Sequence, residues 1–446
     1  MKTKVTRMTE GNILKILIRF SIPILMGNLF QQLYNIADSV IVGKYVGTNG
    51  LAAVGAVSAI QFFFLSFCIG MSGGIGIVIA QFFGAQDDNH VKKSIINGAV
   101  LALAIATLMS LVGFLFAEPC LKLMGTPDEI LGDSILYMKS VCIGIIGIAL
   151  YNTLAEMIRA LGDSKTPLKF LIFASVTNII LDLVLIINFD LGVLGAGIAT
   201  ATSQFLAGIC LGIYAIKKNP YFAIKREELQ IDRWIIMKCV KTGIPVGVQF
   251  SMIAVSCIAL QIIINGYGAV IVAVYTVTSK VETVMVQPFQ TLTTALQAYS
   301  GQNIGAGEEG RVKAGFKCGS LIMAVYTMCV TPIIFFGGAV IVSGFVSDPE
   351  VIELGASALK ITSCFYIFLG LIYVTRGTLN GLGDTAFAFM NGVMEMLGRI
   401  CLAKPITSIG AVGAWGIWIA TGLTWMATGL LGLGRFMQGK WKIKGK

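Results

Sequence analysis

Apolar residues run through this chain in long stretches that show neither the period-two alternation of a β-strand nor the single stripe of a surface helix. Each stretch reaches roughly 20 residues or more, enough to cross the hydrocarbon core of a bilayer as a helix whose backbone satisfies itself. The pattern predicts twelve spans, near 15–43, 51–80, 94–117, 134–158, 167–189, 194–216, 236–265, 271–299, 315–344, 356–380, 386–408 and 412–435. Barrel strands are short and alternate inside and outside. These runs are apolar all round, so the expected fold class is an all-α polytopic membrane protein.

Composition supports this: 56% of the residues are hydrophobic and 13% charged, too few charges to clothe a soluble chain of 446 residues. The net charge of +10 changes the picture only through its placement. Connections such as "GAQDDNHVKK", "RALGDSKTPLK", "GAGEEGRVKAGFK" and "TRGTLNGLGDT" alternate along the chain with "GKYVGTNG", "NFDLGVLG", "NGYGA" and "SDPEVIELG". The first set is rich in Lys and Arg and the second poor. That is the positive-inside pattern, with both termini on the cytoplasmic side of a cell membrane. The basic excess is a topology signal that can also touch anionic lipid, not a nucleic-acid footprint. The first apolar run is too long for a signal-peptide core and reads as an uncleaved span. The ten cysteines lie mostly within apolar runs, form no Cys-x-x-Cys pair, and read as small hydrophobes.

The chain repeats itself at an offset of 221, which carries "QFFGAQDDNHVKK" from Gln81 onto "QNIGAGEEGRVK" at Gln302, Asp163 onto Asp384 and Glu129 onto Glu350. Pro23 and Pro245 correspond with one residue of slip. Six spans per half make the repeat parallel, related by an axis along the membrane normal. The expected organisation is an N-terminal six-helix lobe at 1–216, a basic cytoplasmic linker at 217–234, and a C-terminal six-helix lobe with a basic tail at 235–446. Two such bundles facing each other around a central cavity suit alternating access.

Polar groups inside the spans are costly and mark function. Gln31, Asn35 and Asp38 fall at i, i+4 and i+7 on one helical face of span 1. Ser175, Asn178 and Asp182 lie on one face of span 5, and Thr200 and Gln204 on one face of span 6. At 1.5 Å rise per residue Asp182 lies about 20 Å in from the cytoplasmic side, and Asp38 also reaches the outer half. The two carboxylates can meet in one pocket of the first half. Close together in a low dielectric they take up a proton or bind a hard cation through oxygen ligands. A polar staple between helices is the structural alternative.

The chain resembles the multidrug and toxic compound extrusion (MATE) family, most specifically in "QQLYNIADSVIVG" of span 1, "TNIILDLVLII" of span 5, and the loop pairs "GAQ"/"GAG" and "RALGDS"/"NGLGDT". The resemblance extends over nearly the whole chain. It implies that Asp38, Asn178, Asp182 and Thr200 line a cation site in the N-terminal lobe. It also implies antiport: a proton or sodium ion enters as an amphipathic, often cationic, organic compound leaves.

The second half does not copy this site. The partner of Asp38 falls at Leu260 or its neighbour, and that of Asn178 is Arg399. Glu395 and Arg399, spaced i, i+4 with Glu first, are expected to form a structural ion pair. Glu282 is a candidate contact for a cationic substrate, and the role of Lys280 is left open. Spans 7 and 10, which carry acids in other branches of the family, hold Gln249 and Gln261 but no mid-span acid. Aromatic and methionine side chains, among them Tyr34, Met71, Met252, Met285 and Phe289, are candidates for a wall that accepts amphipathic cations. Pro23, Pro245 and Pro288 lie within spans, where they can bend helices.

No P-loop is present, so ATP is not expected to drive the chain directly; no cofactor is expected besides H+ or Na+ as coupling ion. The lone His90, read in a cytoplasmic loop, has no partner ligands for a metal and supports no catalytic triad, so no enzyme and no metal site beyond sodium are expected. A flippase for lipid-linked sugars, with its cationic cavity, and a channel are the rival transport readings; an intramembrane enzyme is the rival outside transport. The chain is expected to work as a monomer.

Overall fold

The computed structural model describes residues 7–224 and 228–441, apart from the side chain of Ala59. The ends of the basic N-terminus and tail, and residues 225–227 of the linker, which the topology reading used, lie outside the described residues.

Among the described residues the chain is helical throughout, without a strand. The first half comprises α1 (Ile13–Tyr45), α2 (Thr48–Gly84), α3 (Asp88–Leu115), the short α4 (Ala117–Leu123), α5 (Asp128–Ala160), α6 (Lys165–Leu183) and α7 (Gly192–Lys218). The second comprises α8 (Arg233–Asn265), α9 (Ala269–Gly305), α10 (Glu309–Ser343), α11 (Pro349–Ser363), α12 (Tyr366–Gly381), α13 (Thr385–Thr407) and α14 (Gly416–Met437). Eleven of the helical stretches are long and apolar enough to cross a membrane, and the bent pair α11 and α12 makes a twelfth span. The all-helical, multi-span fold expected from the apolar runs is therefore the fold observed. Two compact units divide the chain, Met1–Glu10 with Arg19–Gly247 and Gly11–Ile18 with Val248–Lys446.

The repeat holds to the residue in two of the spans. An offset of 221 maps α2 onto α9, and α5 onto α11 plus α12, residue for residue at both ends. Packing follows: α5 lies against α2 and α7 in the first unit, and α12 against α9 and α14 in the second. Gly162 and Gly383, at φ 87° and 79°, close the equivalent turns "LGDS" and "LGDT" in the left-handed region that glycine enters without a Cβ penalty.

The tenth span departs from the expectation of one continuous helix. It breaks at Cys364–Phe365 with a bend of 52°. No proline or glycine is there. Instead, the Thr362 hydroxyl turns back to the carbonyls of Ala358 and Leu359, and Ser363 Oγ and Cys364 Sγ both turn back to Lys360 O. Such back-bonding competes with the helical ladder and bends it. The equivalent residues of unbroken α5 are Val141, Cys142 and Ile143, without a hydroxyl.

The linker docks on the first unit. Lys92 of α3 pairs with Glu228 at 2.8 Å, and Lys93 with Asp232 at 3.3 Å. The Tyr221 hydroxyl donates to Asp88 at 2.9 Å. Asp232 caps α8, accepting from the N–H groups of Ile235 and Trp234. The Ile235 N–H, with the Lys93 ammonium and the Trp234 N–H, holds the Asp232 carboxyl below its ordinary range. His90 lies in the first turn of α3 rather than in a loop, bonded to Asp87 at 2.6 Å and stacked on Phe82. The cysteines are all free, but only Cys68, Cys142 and Cys239 are buried within the protein. Cys257, Cys329, Cys364 and Cys401 are exposed.

Candidate functional site

The polar residues of α1, α6 and α7 converge in the first unit. Asp38 and Asp182 bring their carboxyl groups within hydrogen-bonding reach of one another. Asp182 is fully buried and Asn178, one turn before it, is 1% exposed. The Asn178 amide donates to Thr200 Oγ1 at 3.3 Å. All four residues that the sequence marked for a cation site are thus members of one cluster.

Its chemistry lies in what is missing. Both carboxylate oxygens of Asp182, Oδ1 of Asp38 and the amide oxygen of Asn178 are buried without a hydrogen-bond donor. Buried acceptors are costly when unpaired, and facing carboxylates repel. A shared proton or a hard cation resolves both problems at once, and an all-oxygen ligand set suits either.

The backbone prepares this position. Immediately after Asp182 the α-helix gives way to a π-helical turn at Val184–Asn188. Such turns shift helical register and recur at functional sites. At the equivalent place in the second half, α13 runs on as a regular α-helix past Ala403.

Of the other polar candidates, Gln31 and Gln204 both reach the phenol of Tyr34. Asn35 is exposed, and its carbonyl also accepts the Ser39 hydroxyl at 2.9 Å. Glu282 is in the second unit, beside Thr362 at the break of the tenth span. Sequence reasoning missed Tyr137 of α5, a buried phenol close to Asp38, Tyr34 and Asp182. A tyrosine in an apolar run gives no periodic signal. Only the packing of α5 shows that it faces acids.

In the second unit the expected pairing of Glu395 with Arg399 is corrected. Glu395 is bound by Arg376 of α12, which also holds Asn391 Oδ1 at 2.7 Å. Gln249 donates to the same Asn391 oxygen at 3.0 Å. Arg399 turns to α8 and donates to Ser256 Oγ and Cys257 Sγ, each at 3.1 Å. Arg376 wins because α12 packs its buried face against the interior of the unit, where its planar fork reaches both Asn391 and Glu395.

The MatE family model matches two stretches of the chain, residues 23–184 and 245–403. The chain belongs to the MATE family. The two stretches begin at Pro23 and Pro245, the residues that correspond across the internal repeat. A MATE relative from Bacillus subtilis (strain 168), named "Probable multidrug resistance protein YpnP", is 30% identical over 437 residues, covering 97% of each chain. The FAD transporter of Shewanella oneidensis is 23% identical over 427 residues, covering 93% of this chain and 92% of its own. Among solved structures, a MOP superfamily transporter from Pyrococcus furiosus superposes with a TM-score of 0.93 at 21% identity, covering 100% of both chains. An outward-facing MATE transporter gives 0.90 at 22% identity, again over 100% of both. These MATE folds are two-lobed and helical, as here. The chain is a multi-pass membrane protein of a multidrug efflux transporter family.

Proposed function

We propose that this MATE protein is a secondary antiporter that exports amphipathic, often cationic, organic compounds in exchange for inward H+ or Na+. The cluster of Asp38, Asn178, Asp182 and Thr200 binds the coupling ion. The observation that carries this reading is the set of four donorless oxygens around two facing carboxyl groups. A purely structural polar staple would satisfy its own acceptors. A cluster that leaves them open lowers its energy only when a cation arrives, and that dependence is what couples ion binding to a change of state.

Gln31, Gln204 and Tyr34 hold the α1 and α7 faces around the ion. Both termini lie in the cytoplasm, and the protein acts as a monomer, each chain supplying both lobes. Since one relative is named for FAD, the compound exported is identified by transport rather than by family.

The test is efflux of ethidium from proteoliposomes under an imposed pH gradient or an imposed sodium gradient. Efflux driven by one gradient in the wild type and lost in Asp38→Asn supports the reading and names the ion. Efflux driven by neither gradient sinks it in favour of a lipid-linked or other specific substrate.

A further inference from the structure

The second unit holds two charges that the ion site does not use. Arg399 of α13 and Glu282 of α9 are close enough to influence one another, yet they form no ion pair among the described residues. Each keeps a buried polar atom without a partner: Nε of Arg399 and Oε1 of Glu282. Both lie well inside their spans, counted from opposite ends. Arg399 is fourteen residues from the start of α13 at Thr385, and Glu282 thirteen from the start of α9 at Ala269. At 1.5 Å per residue each lies about 20 Å in from its own end, in the membrane interior.

The internal repeat supplies the control. Arg399 stands where the first half has Asn178 of the ion cluster, Ala403 where it has Asp182, and Glu282 where it has Gln61. The second half has lost the acids of the cation site and gained a guanidinium at the same register. Glu395, the nearest other acid on α13, is already taken by Arg376. The hydrogen-bond partners of Arg399, a serine hydroxyl and a cysteine sulfur, are uncharged, so the guanidinium makes no ion-pair contact among the described residues.

An isolated charge at mid-membrane is costly, and two opposite charges held apart are costlier than a closed pair. Both are relieved by one molecule that carries an acidic group for Arg399 and a cationic donor for Glu282. Glu282 in addition lies beside Thr362, at the back-bonded break of the tenth span, a break absent from the first half. We propose that Arg399 and Glu282 form a subsite for zwitterionic organic ligands, in which the guanidinium binds a carboxylate or similar anion and the carboxylate accepts a cationic N–H. This deepens the efflux reading by naming the substrate class and rests on it.

The probes share one xanthene skeleton: rhodamine 110 as the zwitterion, its methyl ester rhodamine 123 as the cation, and fluorescein as the anion. Binding to the purified full chain in detergent is read by fluorescence anisotropy, without any gradient. Wild type is expected to prefer rhodamine 110 over both others. Arg399→Gln is expected to remove the preference over rhodamine 123, by about tenfold or more, the loss that follows removal of one partner of a charged hydrogen bond. Glu282→Gln is expected to remove the preference over fluorescein instead. A general packing defect would weaken all three dyes together, and the conservative Arg399→Lys, which keeps the charge, should retain part of the preference. Wild type binding rhodamine 110 no more tightly than its ester, or both variants keeping the wild-type ratios, overturns the proposal. Because no ion gradient enters, failure of gradient-driven efflux with these ratios intact would count against the antiport reading alone.

Discussion

Glu395 gives its carboxylate to Arg376 of a neighbouring helix and not to Arg399 one turn along its own. Both partners of the pair are nine-tenths or more buried. Breaking such a pair from one side strands the other charge. Arg376→Met or Glu395→Gln is therefore predicted to destabilise the second unit by about 3–5 kcal/mol. The double variant Arg376→Met with Glu395→Met should lie closer to wild type than either single change. Thermal unfolding in detergent reads all three. Singles that melt with the wild type would show that the pair is not structural.

This pairing also shows where the sequence was legible. The twelve spans were readable because bilayer thickness sets the length of every apolar run, and the repeat because polar loop residues recur at one offset. The clustering of Asp38, Asn178 and Asp182 was readable because acids and amides recur one turn apart on otherwise apolar faces. Arg376 was not readable. Its stretch "TRGTLNGLGDT" counts as a basic loop, while the helix carries Arg376 inward to a buried site. Helical spacing offered Arg399 as a partner for Glu395, but which side of α13 faces α12 is decided by packing. The break in the tenth span was hidden for a similar reason: Thr, Ser and Cys read as ordinary small residues until their back-bonds are seen.

The break itself can be tested. Replacing Thr362, Ser363 and Cys364 by the first-half residues, as Thr362→Val, Ser363→Cys and Cys364→Ile, removes both hydroxyls and is predicted to straighten α11 into α12. Spin labels at positions 353 and 371, measured by pulsed electron resonance, should move apart. An unchanged distance would assign the bend to tertiary packing.

Close packing of α12 on α9 gives a second stability prediction. A Cβ on Gly377 would sit 2.5 Å from the carbonyl oxygen of Thr293, and one on Gly381 2.4 Å from that of Gln297. Neither neighbour is a movable side-chain tip. Gly377→Ala should cost about 1–3 kcal/mol, the usual range for overpacking. The check is loss of melting temperature in Gly377→Ala relative to Gly434→Ala, whose Cβ meets nothing within 4 Å.

The linker dock predicts a pH effect outside the membrane. Asp232 is held below its ordinary carboxyl range by the Ile235 N–H and its other donors. A carboxyl so lowered stabilises the folded state above its ordinary titration range, and the contribution is lost as pH falls through the lowered value. Amide exchange at Trp234 and Ile235, corrected for intrinsic rates, should be protected at neutral pH and lose protection only on strong acidification. Asp232→Ala should already lack that protection at neutral pH. Equal protection in the two proteins would remove the cap from the account.

The central claim is that Asp38 and Asp182 hold one cation between them. The direct measurement is infrared difference spectroscopy of the purified protein on acidification in low sodium, for wild type, Asp38→Asn and Asp182→Asn. The account predicts the band of a protonated carboxyl in the wild type and its loss in both variants. Suppression of that band by high sodium would show that both ions share the site. A band that survives unchanged in both variants would contradict the claim, because some other acid would then be taking the proton.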